Sequence, residues 1–574
     1  MISIILNGLS FLNLEQRKKF RLITLLIIFG SLFEAFSIYI LYLTIKIFTD
    51  YNNFIAENNY FVEIYKKLSF DEKYLVFHFS LFLLIIFVFK FVYFSKMYFY
   101  QFKYINNLMV NFSSNLLNKY LTSSIEFHSN EDNSKLIRNI KDEIGIYTNG
   151  LIQQIIILFN ELTIFISIVL LTLFLVTKEF LILFFLMIIL CFIYYIFIRP
   201  IYHDYGLQRQ FYTNLMIKYI INPLSAIKDV KIFRAENYFY KKFKNSVEKL
   251  GYANAVVTTL NQIPRLGLEL FVVIVISIFT VYNFNKEIIN GEFLSSTGLL
   301  AISAFKLIPS ISKIMNSLNG IKFSSPSLDI LNSLFQDFDD KVSQISEDQL
   351  IYKNSIILEN LYFKYKNKEK YLFENLNIEI QKNSSIGLIG KSGSGKSTLI
   401  DIICGFHKPN KGRVLVDNKD INKLNLNWLQ KISYIPQKVF IINDTLKKNI
   451  ALGIEEKDIN LNKIKKIIQQ CRLEDLLSTL DDGLETELGD GGKSISGGEA
   501  QRIGIARALY KETDILILDE ITSSLDSKNE QEIFKIIKAM SVSKTLIIIS
   551  HNEKILDFCD LVYSLENSNL IKKN

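Results

Sequence analysis

The chain has 574 residues, of which 49% are hydrophobic and 21% are charged, and its mean hydropathy is +0.23. The length excludes a single compact core, because domains average roughly 150 residues. The composition excludes both a disordered chain and a chain that lies wholly in lipid. A membrane part joined to a soluble part is therefore predicted. The net charge of +8 fits nucleic acid, an anionic membrane surface, or the basic cytoplasmic loops of a membrane protein.

Six apolar segments have or approach the length of about 20 residues that a membrane span requires. They cover residues 22–48, 75–98, 151–176, 180–198, 266–284 and 299–318. Lysine and arginine concentrate in the loops 101–150 and 199–249. By the positive-inside rule, both termini and both loops are cytoplasmic. This distribution favours basic cytoplasmic loops, and no nucleic-acid partner is predicted. The first span is too long for the core of a cleaved signal peptide and is expected to be retained.

The cytoplasmic loops contain few glycines and prolines, so the helices of the spans can continue far out of the bilayer. They are expected to turn back near residues 127–134 and 221–231. On the outer side, residues 54–68 place apolar side chains at near-helical spacing. This segment is either an amphipathic helix on the membrane surface or an ordinary loop.

After Lys322 the apolar runs shorten, and from Ile351 onward short β-branched runs alternate with helical stretches, which predicts a cytosolic α/β domain. The predicted domains are a transmembrane domain over 1–330, a linker over 331–350 and the α/β domain over 351–574. The chain's cysteines, Cys191, Cys404, Cys471 and Cys559, are scattered. Their spacing argues against a zinc site and against a disulfide framework.

A glycine-rich loop follows the apolar strand predicted at 385–388 and precedes a predicted helix. It consists of Gly390, Lys391, Ser392, Gly393, Ser394, Gly395, Lys396 and Ser397, which fits the phosphate-loop pattern GxxxxGK[ST]. In such a loop backbone N–H groups surround phosphates at a helix N-terminus. Lys396 then reaches the β and γ phosphates, and the Ser397 hydroxyl binds Mg²⁺. The alternative is a glycine-rich loop that arose by chance.

A second motif, Asp519-Glu520, ends the apolar run 515–518. Asp519 suits a Mg²⁺ ligand, and Glu520 suits the base that polarises an attacking water molecule. A pair of carboxylates at a strand end can also be structural. Together with the phosphate loop, this motif predicts hydrolysis of a nucleoside triphosphate.

Between the two motifs lies Ser496-Gly497-Gly498-Glu499-Ala500-Gln501-Arg502, and here the sequence resembles the ATP-binding cassette family, whose signature reads LSGGQ. The resemblance implies several site residues. Tyr365 would stack on adenine, Gln437 would be the Q-loop residue and a Mg²⁺ ligand, and His551 would be the catalytic switch histidine. Residues 523–526 would form the D-loop, and further contacts with ATP would come from Lys391, Thr398, Ser496, Gly497 and Gly498. Three residues depart from the family pattern, namely Ile495, Glu499 and Ser524. Glu499 adds a negative charge that is expected to affect the rate.

In this family the signature of one nucleotide domain completes the phosphate-loop site of another, and this chain contains one of each. The resemblance therefore implies a homodimer with two sites for ATP and Mg²⁺. Six spans followed by one cassette is the arrangement of half-size exporters, so ATP-driven transport is the implied function. The two cytoplasmic turns match the coupling helices of these exporters.

Basic residues inside the spans are candidates for substrate contacts, because an ionisable group in the membrane is costly. The last span carries Ser303, Lys306, Ser310, Lys313 and Ser317 at intervals of three and four residues, which places them on one helix face. Lys90 lies in the second span and Arg265 at the start of the fifth. Such bases suit an anionic substrate. The alternative is that bases pair with Glu34, Glu161 and Glu269, and Arg265 and Glu269 have the spacing of a helical ion pair.

The pattern around Arg265 and Lys306 resembles the flippases that move lipid-linked oligosaccharides in bacterial protein N-glycosylation. The resemblance implies that Lys90, Arg265 and Lys306 face a polyprenyl pyrophosphate, and that the protein lies in the bacterial cytoplasmic (inner) membrane. Lysine at two of these positions lacks the bidentate phosphate contact of arginine. A lipid A or multidrug exporter is the alternative, and an ATP-gated channel or regulator is a different class with the same architecture.

Overall fold

The computed structural model describes residues 1–49, 75–175, 179–284, 291–339, 352–365, 368–391, 393–421, 426–489, 495–521, 527–550, 556–566 and 568–573. These residues form two compact units, which divide between the helix that ends at Asp339 and the strand that begins at Ser355, except that Ser124–Phe127 groups with the second unit. The first unit is helical, and the second combines strands with helices. The predicted fold class, membrane helices followed by an α/β domain, is confirmed.

Long helices dominate the first unit. Its elements are α1 (Ile2–Ser10), α2 (Leu14–Thr49), α3 (Leu75–Thr122), α4 (Ile125–Asn130), α5 (Asn133–Arg138), two π-helical segments (Asn139–Glu143 and Ile146–Ile152), α6 (Gln153–Leu175), α7 (Glu179–Ser225), α8 (Ile227–Ile232), α9 (Glu236–Phe284) and α10 (Gly291–Asp339). In the described part of the chain, four helical stretches are long and apolar enough to cross a membrane: Leu14–Ile47, Val76–Thr122, Asn133–Leu173 and Phe185–Ser225. For the spans in α9 and α10, membrane crossing stays a prediction.

The long helices exceed the thickness of a bilayer. The 48 residues of α3 extend for about 72 Å at 1.5 Å per residue, whereas the hydrocarbon core measures about 30 Å. The short helices α4 and α8 interrupt the long ones near the predicted turns at 127–134 and 221–231. Helix α10 continues to Asp339, so the beginning of the predicted linker 331–350 is helical. The predicted surface helix at 54–68 lies outside the described residues.

Helix α7 packs closely against both α9 and α10. A Cβ atom at Gly206 in α7 would lie 2.5 Å from the carbonyl oxygen of Phe323 in α10, so a larger residue would separate these helices. The Tyr202 hydroxyl in α7 donates to Asn261 Oδ1 in α9 at 2.7 Å. These contacts hold the three helices in one bundle.

A buried ionic cluster joins four segments of this bundle. Glu143 is fully buried and lies 3.5 Å from Arg138 Nε and 3.6 Å from Arg209 Nη2. The Ser327 hydroxyl donates to Glu143 Oε2 and accepts from Arg209 Nη2. Because these side chains come from α5, the first π-helical segment, α7 and α10, the cluster fixes the mutual positions of these elements.

The second unit contains two sheets. Its strands are β1 (Ser355–Phe363), β2 (Phe373–Gln381), β3 (Ser385–Ile389), β4 (Lys411–Val416), β5 (Lys419–Asp420), β6 (Ile432–Ile435), β7 (Ile515–Asp519), β8 (Thr545–Ile549), β9 (Leu561–Glu566) and β10 (Asn569–Lys572). One sheet has the order β2-β1-β4-β5 and is antiparallel. The other has the order β10-β9-β3-β8-β7-β6, and its strands from β9 to β6 are parallel.

The described part of the second unit also contains α-helices. They are α11 (Lys396–Ile403), α12 (Leu426–Leu429), α13 (Leu446–Ile450), α14 (Leu461–Gln470), α15 (Glu474–Ser478), α16 (Gly497–Lys511) and α17 (Ser527–Ser541). All five residues of β8 are buried, as expected for a parallel strand covered on both faces. Trp428 is also buried and donates from Nε1 to the Ile403 carbonyl at 2.7 Å. The sheet is therefore a rigid support for the loops at its edges.

Replacement of Glu143 by alanine is expected to destabilise the first unit by about 3–5 kcal/mol, since it leaves Arg138 and Arg209 buried without their carboxylate. The measurement is unfolding of the detergent-solubilised protein followed by circular dichroism. Glu248→Ala is the control, because Glu248 forms an exposed pair with Lys244, and such pairs contribute about 0–1 kcal/mol. Equal stability of the two variants would contradict a structural role for the cluster.

Candidate functional site

The predicted phosphate loop follows β3 and leads into α11. Gly395 lies directly before α11 with a φ of 104°, a left-handed conformation that favours glycine. A Cβ atom there would also lie 3.0 Å from the Phe373 ring. The first backbone N–H groups of α11 have no partner within the helix and are oriented to bind an anion. Gly390 and Gly393 also belong to the described part of the loop, whereas Ser392 lies outside it.

Lys396 is held inside this loop. Its side chain is buried, and Nζ donates to the carbonyl oxygens of Gly390 at 2.7 Å and Lys391 at 3.3 Å. A lysine in this position places its positive charge where the loop's N–H groups converge. The loop thus provides both a cation and backbone donors for phosphate oxygens.

Tyr365 lies next to the first turn of α11. Its hydroxyl forms a hydrogen bond of 2.8 Å with Thr398 Oγ1, and its ring contacts His407 edge to face at a centroid distance of 5.7 Å. The side chain is partly exposed, so its ring is available for the stacking that the sequence predicts. Thr398, predicted to contact ATP, is buried and holds Tyr365 in place.

Asp519 ends β7 and accepts a hydrogen bond from the Tyr434 hydroxyl at 2.8 Å. Burial raises the pKa of Asp519, and the neighbouring Glu520 acts in the same direction, whereas Tyr434 and Lys396 lower it. Burial and the charge of Asp519 also raise the pKa of the Tyr434 phenol. Tyr434 therefore stays protonated at neutral pH and fixes one carboxylate oxygen of Asp519. The sequence did not indicate Tyr434 as part of this site.

Glu520 is oriented by Gln437, whose Nε2 donates to Glu520 Oε2 at 3.0 Å. The backbone of Glu520 has a φ of 47°, and its N–H donates to the carbonyl of Ile549 at 2.9 Å. Gln501, buried in α16, donates from Nε2 to the Gln437 carbonyl at 2.6 Å. Gln501 thus supports the residue that orients Glu520. The sequence showed Gln501 beside the signature but did not indicate this contact.

The signature residues form the N-terminus of α16. Ser496 is the N-cap residue, and Gly497 and Gly498 begin the helix. The Glu499 carboxylate accepts hydrogen bonds from the backbone N–H and the hydroxyl of Ser496, both at 2.7 Å. This is a capping box, which stabilises a helix start. Glu499, noted above for its extra negative charge, therefore has a structural role in α16.

The predicted Mg²⁺ ligands Ser397, Gln437 and Asp519 all carry oxygen donors, as Mg²⁺ prefers. Ser397 is exposed at the start of α11, Asp519 ends β7, and Gln437 follows the adjacent strand β6. Because parallel strands end at one edge of a sheet, these residues would hold Mg²⁺ beside the phosphate loop, where it would supply positive charge. The switch residue His551 and the D-loop 523–526 lie outside the described residues, and their roles stay predictions.

Two of the three predicted substrate-binding bases are in ion pairs. Lys90 Nζ lies 2.6 Å from Glu34 Oε2 and both side chains are mostly buried. Arg265 Nε lies 2.8 Å from Glu269 Oε1 on the exposed surface of α9. Lys313 also pairs, with Glu161 at 2.9 Å. These are the ion pairs of the alternative, in which bases pair with Glu34, Glu161 and Glu269, and the substrate contacts of Lys90, Arg265 and Lys306 stay a prediction. The side chain of Lys306 lies outside the described residues.

Two protein-family models match the sequence. Residues 373–523 match the family model of the ABC transporter, and residues 20–304 match that of the ABC transporter transmembrane region. The chain belongs to the ABC transporter family. The cassette match implies that the second unit binds ATP.

Individual proteins are also similar. An ATP-dependent lipid A-core flippase of Cupriavidus pinatubonensis is 28% identical over 63% of this chain and 61% of that protein. A putative export ATP-binding/permease protein of Rickettsia typhi is 30% identical over 50% of each chain. The matched part of this chain thus spans about 60% of the length of the lipid A-core flippase. A solved bacterial Atm1-family ABC exporter with ATP bound shares the fold, with a TM-score of 0.77, 19% identity, and coverage of 96% of this chain and 94% of that one.

Replacement of Lys396 by alanine is expected to weaken ATP binding by about tenfold to a hundredfold, since charge-assisted hydrogen bonds contribute roughly 1.5–3 kcal/mol. Binding of a fluorescent ATP analogue to the full chain in detergent measures the effect. Lys465→Ala, on an exposed position of α14, is the matched control and should bind as the parent does. Undiminished binding by Lys396→Ala would remove Lys396 from the phosphate site.

Proposed function

We propose that two copies of this chain form an exporter that hydrolyses ATP and moves a lipid across the bacterial cytoplasmic membrane. The observation that carries the proposal is the hydrogen bond from Gln437 to Glu520. It orients a carboxylate at the same sheet edge as the phosphate loop, in a chain that also has helices long and apolar enough to cross a membrane. The cassette and transmembrane family matches support the coupling of these two functions.

In this proposal the loop residues and Lys396 bind the triphosphate, and Tyr365 stacks on the base. Glu520 accepts a proton from the water molecule that attacks the γ phosphorus, while Gln437 fixes the orientation of the accepting carboxylate. Mg²⁺, bound through Ser397, Gln437 and Asp519, would neutralise charge on the β and γ phosphate oxygens. His551 is proposed to contact the γ phosphate.

The proposal requires two chains. Ser496, Gly497 and Gly498 present a hydroxyl group and the N-terminus of α16, which favours negative charge. We propose that these groups meet the γ phosphate of ATP bound to a second copy, so that each site uses the loop of one chain and the signature of its partner. From the basic loops of the sequence, we also propose that the termini and the cassettes lie in the cytoplasm.

A lipid substrate is supported by the lipid A-core flippases among the relatives. These relatives favour the lipid exporter over the lipid-linked oligosaccharide flippase of protein glycosylation. The ion pairs of Lys90 and Arg265 also weaken the case for a strongly basic cavity. We therefore propose an inner-leaflet lipid with a polar headgroup as the substrate.

Replacement of Glu520 by glutamine is expected to leave ATP binding intact and to slow hydrolysis by about two to four orders of magnitude, the range for loss of a general base. In proteoliposomes, ATP-dependent movement of a headgroup-labelled glycolipid should be lost with it. Glu474→Gln, exposed at the start of α15, is the control. Normal ATP turnover by the Glu520→Gln variant would exclude Glu520 as the base. If the parent protein hydrolyses ATP but moves no lipid, a channel or regulator is favoured over an exporter.

Mixing Ser496→Arg chains with Lys396→Ala chains is expected to restore ATP-dependent dimer closure, because each heterodimer contains one composite site without a substitution. Each variant alone places a lesion in both sites and serves as the control. Closure is measured by cross-linking of the cassettes. A mixture that closes no better than either variant alone argues against a composite site.

A further inference from the structure

The first unit contains a cavity of about 450 Å³ between α3, α6 and α10. Its lining includes Gln101 from α3, Asn160 and Glu161 from α6, and Lys313 and Asn316 from α10. The predicted substrate positions Lys90, Arg265 and Lys306 are not among its lining residues in the described part of the chain. Lys313 and Ser317 of the polar face on α10 do line the cavity, so it includes part of the helix face that the sequence indicated.

The predicted spans 75–98 and 299–318 place the cavity near the cytoplasmic end of the membrane helices. Lys313 lies 22 residues after Gly291, the start of α10, which is about 33 Å along a helix. Gln101 lies 26 residues after Leu75, the start of α3, or about 39 Å. The hydrocarbon core is about 30 Å thick, and the cassette follows the far end of α10. A ligand in the cavity is therefore expected at the level of inner-leaflet headgroups.

Several polar atoms of the lining are buried and unpaired. Among the described residues, no hydrogen-bond partner is found for Gln101 Nε2, Asn316 Oδ1 or Ser317 Oγ, and Gln101 and Ser317 are buried. An unpaired buried donor or acceptor is unfavourable. An amide N–H, an amide oxygen and a hydroxyl group together suit a ligand that both donates and accepts hydrogen bonds.

The charges of the cavity cancel. Lys313 Nζ binds Glu161 Oε1 at 2.9 Å, and the lysine side chain is 55% exposed whereas that of the glutamate is 5% exposed. The ammonium group has three donors, so it retains donors for a ligand after pairing. A pyrophosphate would require excess positive charge, but sugar hydroxyl groups require only donors and acceptors.

Tyr98 and Phe102 add aromatic surface to the lining, which fits the apolar faces of a sugar ring.

We propose that this cavity binds the sugar portion of an inner-leaflet glycolipid. The proposal rests on the proposed lipid export, since it names the part of the substrate that the first unit recognises. Hydroxyl groups of the sugar would pair with Gln101, Asn316 and Ser317, and the Lys313–Glu161 pair would add a donor without net charge.

Native mass spectrometry of the full chain in a detergent without sugar tests the proposal. The probes are diglucosyl diacylglycerol, phosphatidylglycerol and free maltose. Binding of the glycolipid at least about tenfold tighter than phosphatidylglycerol is expected, because a site built for hydroxyl groups rejects ligands that leave its polar groups unpaired. Tighter binding of phosphatidylglycerol would overturn the proposal, and equal affinity for maltose would assign the cavity to a soluble sugar instead of a lipid.

Two variants and one control locate the binding. Gln101→Leu combined with Asn316→Leu should weaken glycolipid binding at least about tenfold. Glu161→Gln combined with Lys313→Gln keeps polarity but removes both charges, and should change binding less than about threefold. Asn107→Leu, an exposed position of α3 outside the lining, should have no effect. If the neutral double variant loses binding as completely as the leucine variant, recognition depends on charge and the proposal is wrong.

The outcome separates this proposal from the proposed function. Glycolipid binding without ATP-driven lipid movement would refute export and retain the cavity site. ATP-driven lipid movement that persists in the leucine variant, together with unchanged glycolipid binding, would refute the cavity site and retain export. The leucine variant is scored only if its melting temperature matches that of the parent, and otherwise Asn316→Leu alone replaces it.

Discussion

The nucleotide site depends on the parallel pairing of neighbouring strands. Strand β6 pairs with β7 in a register that places Ile435 opposite Leu518, so the chain leaves both strands at the same edge of the sheet. Strands β7, β8 and β3 continue this parallel arrangement. Gln437, Asp519, Glu520 and the phosphate loop therefore converge at one edge. An antiparallel sheet would place alternate loops at opposite edges and could not assemble this site.

The sequence predicted the parts of the site that are encoded locally. The phosphate loop and the Asp519-Glu520 pair each follow an apolar run, and both runs are strands, β3 and β7. The contacts of Tyr434 and Gln501 were not predictable, because they depend on which strands and helices are neighbours. Tyr434 reaches Asp519 only because β6 lies beside β7. A single sequence contains the strands but not their order.

The same limit explains the charges in the membrane helices. Arg265 and Glu269 lie four residues apart on one helix, so their pair was predictable from spacing. Lys90 and Glu34 belong to different helices, α3 and α2, and only packing decides whether they meet. Burial of a single charge is so costly that such residues are usually paired. A base inside a predicted span is therefore weak evidence for an anionic substrate until its neighbours are known.

Neutral, amide-lined recognition also suits transport. A ligand shifts a conformational equilibrium only if it binds one conformation more tightly than the other. The polar atoms of the cavity come from three helices, with Gln101 on α3, Glu161 on α6 and Asn316 on α10. Hydrogen bonds require distances near 2.9 Å and suitable angles, so a small relative shift of these helices removes several at once. A cavity built from directional hydrogen bonds between three helices would thus lose affinity when the helices move, and in the proposed exporter that difference in affinity would couple release of a substrate to a change of conformation.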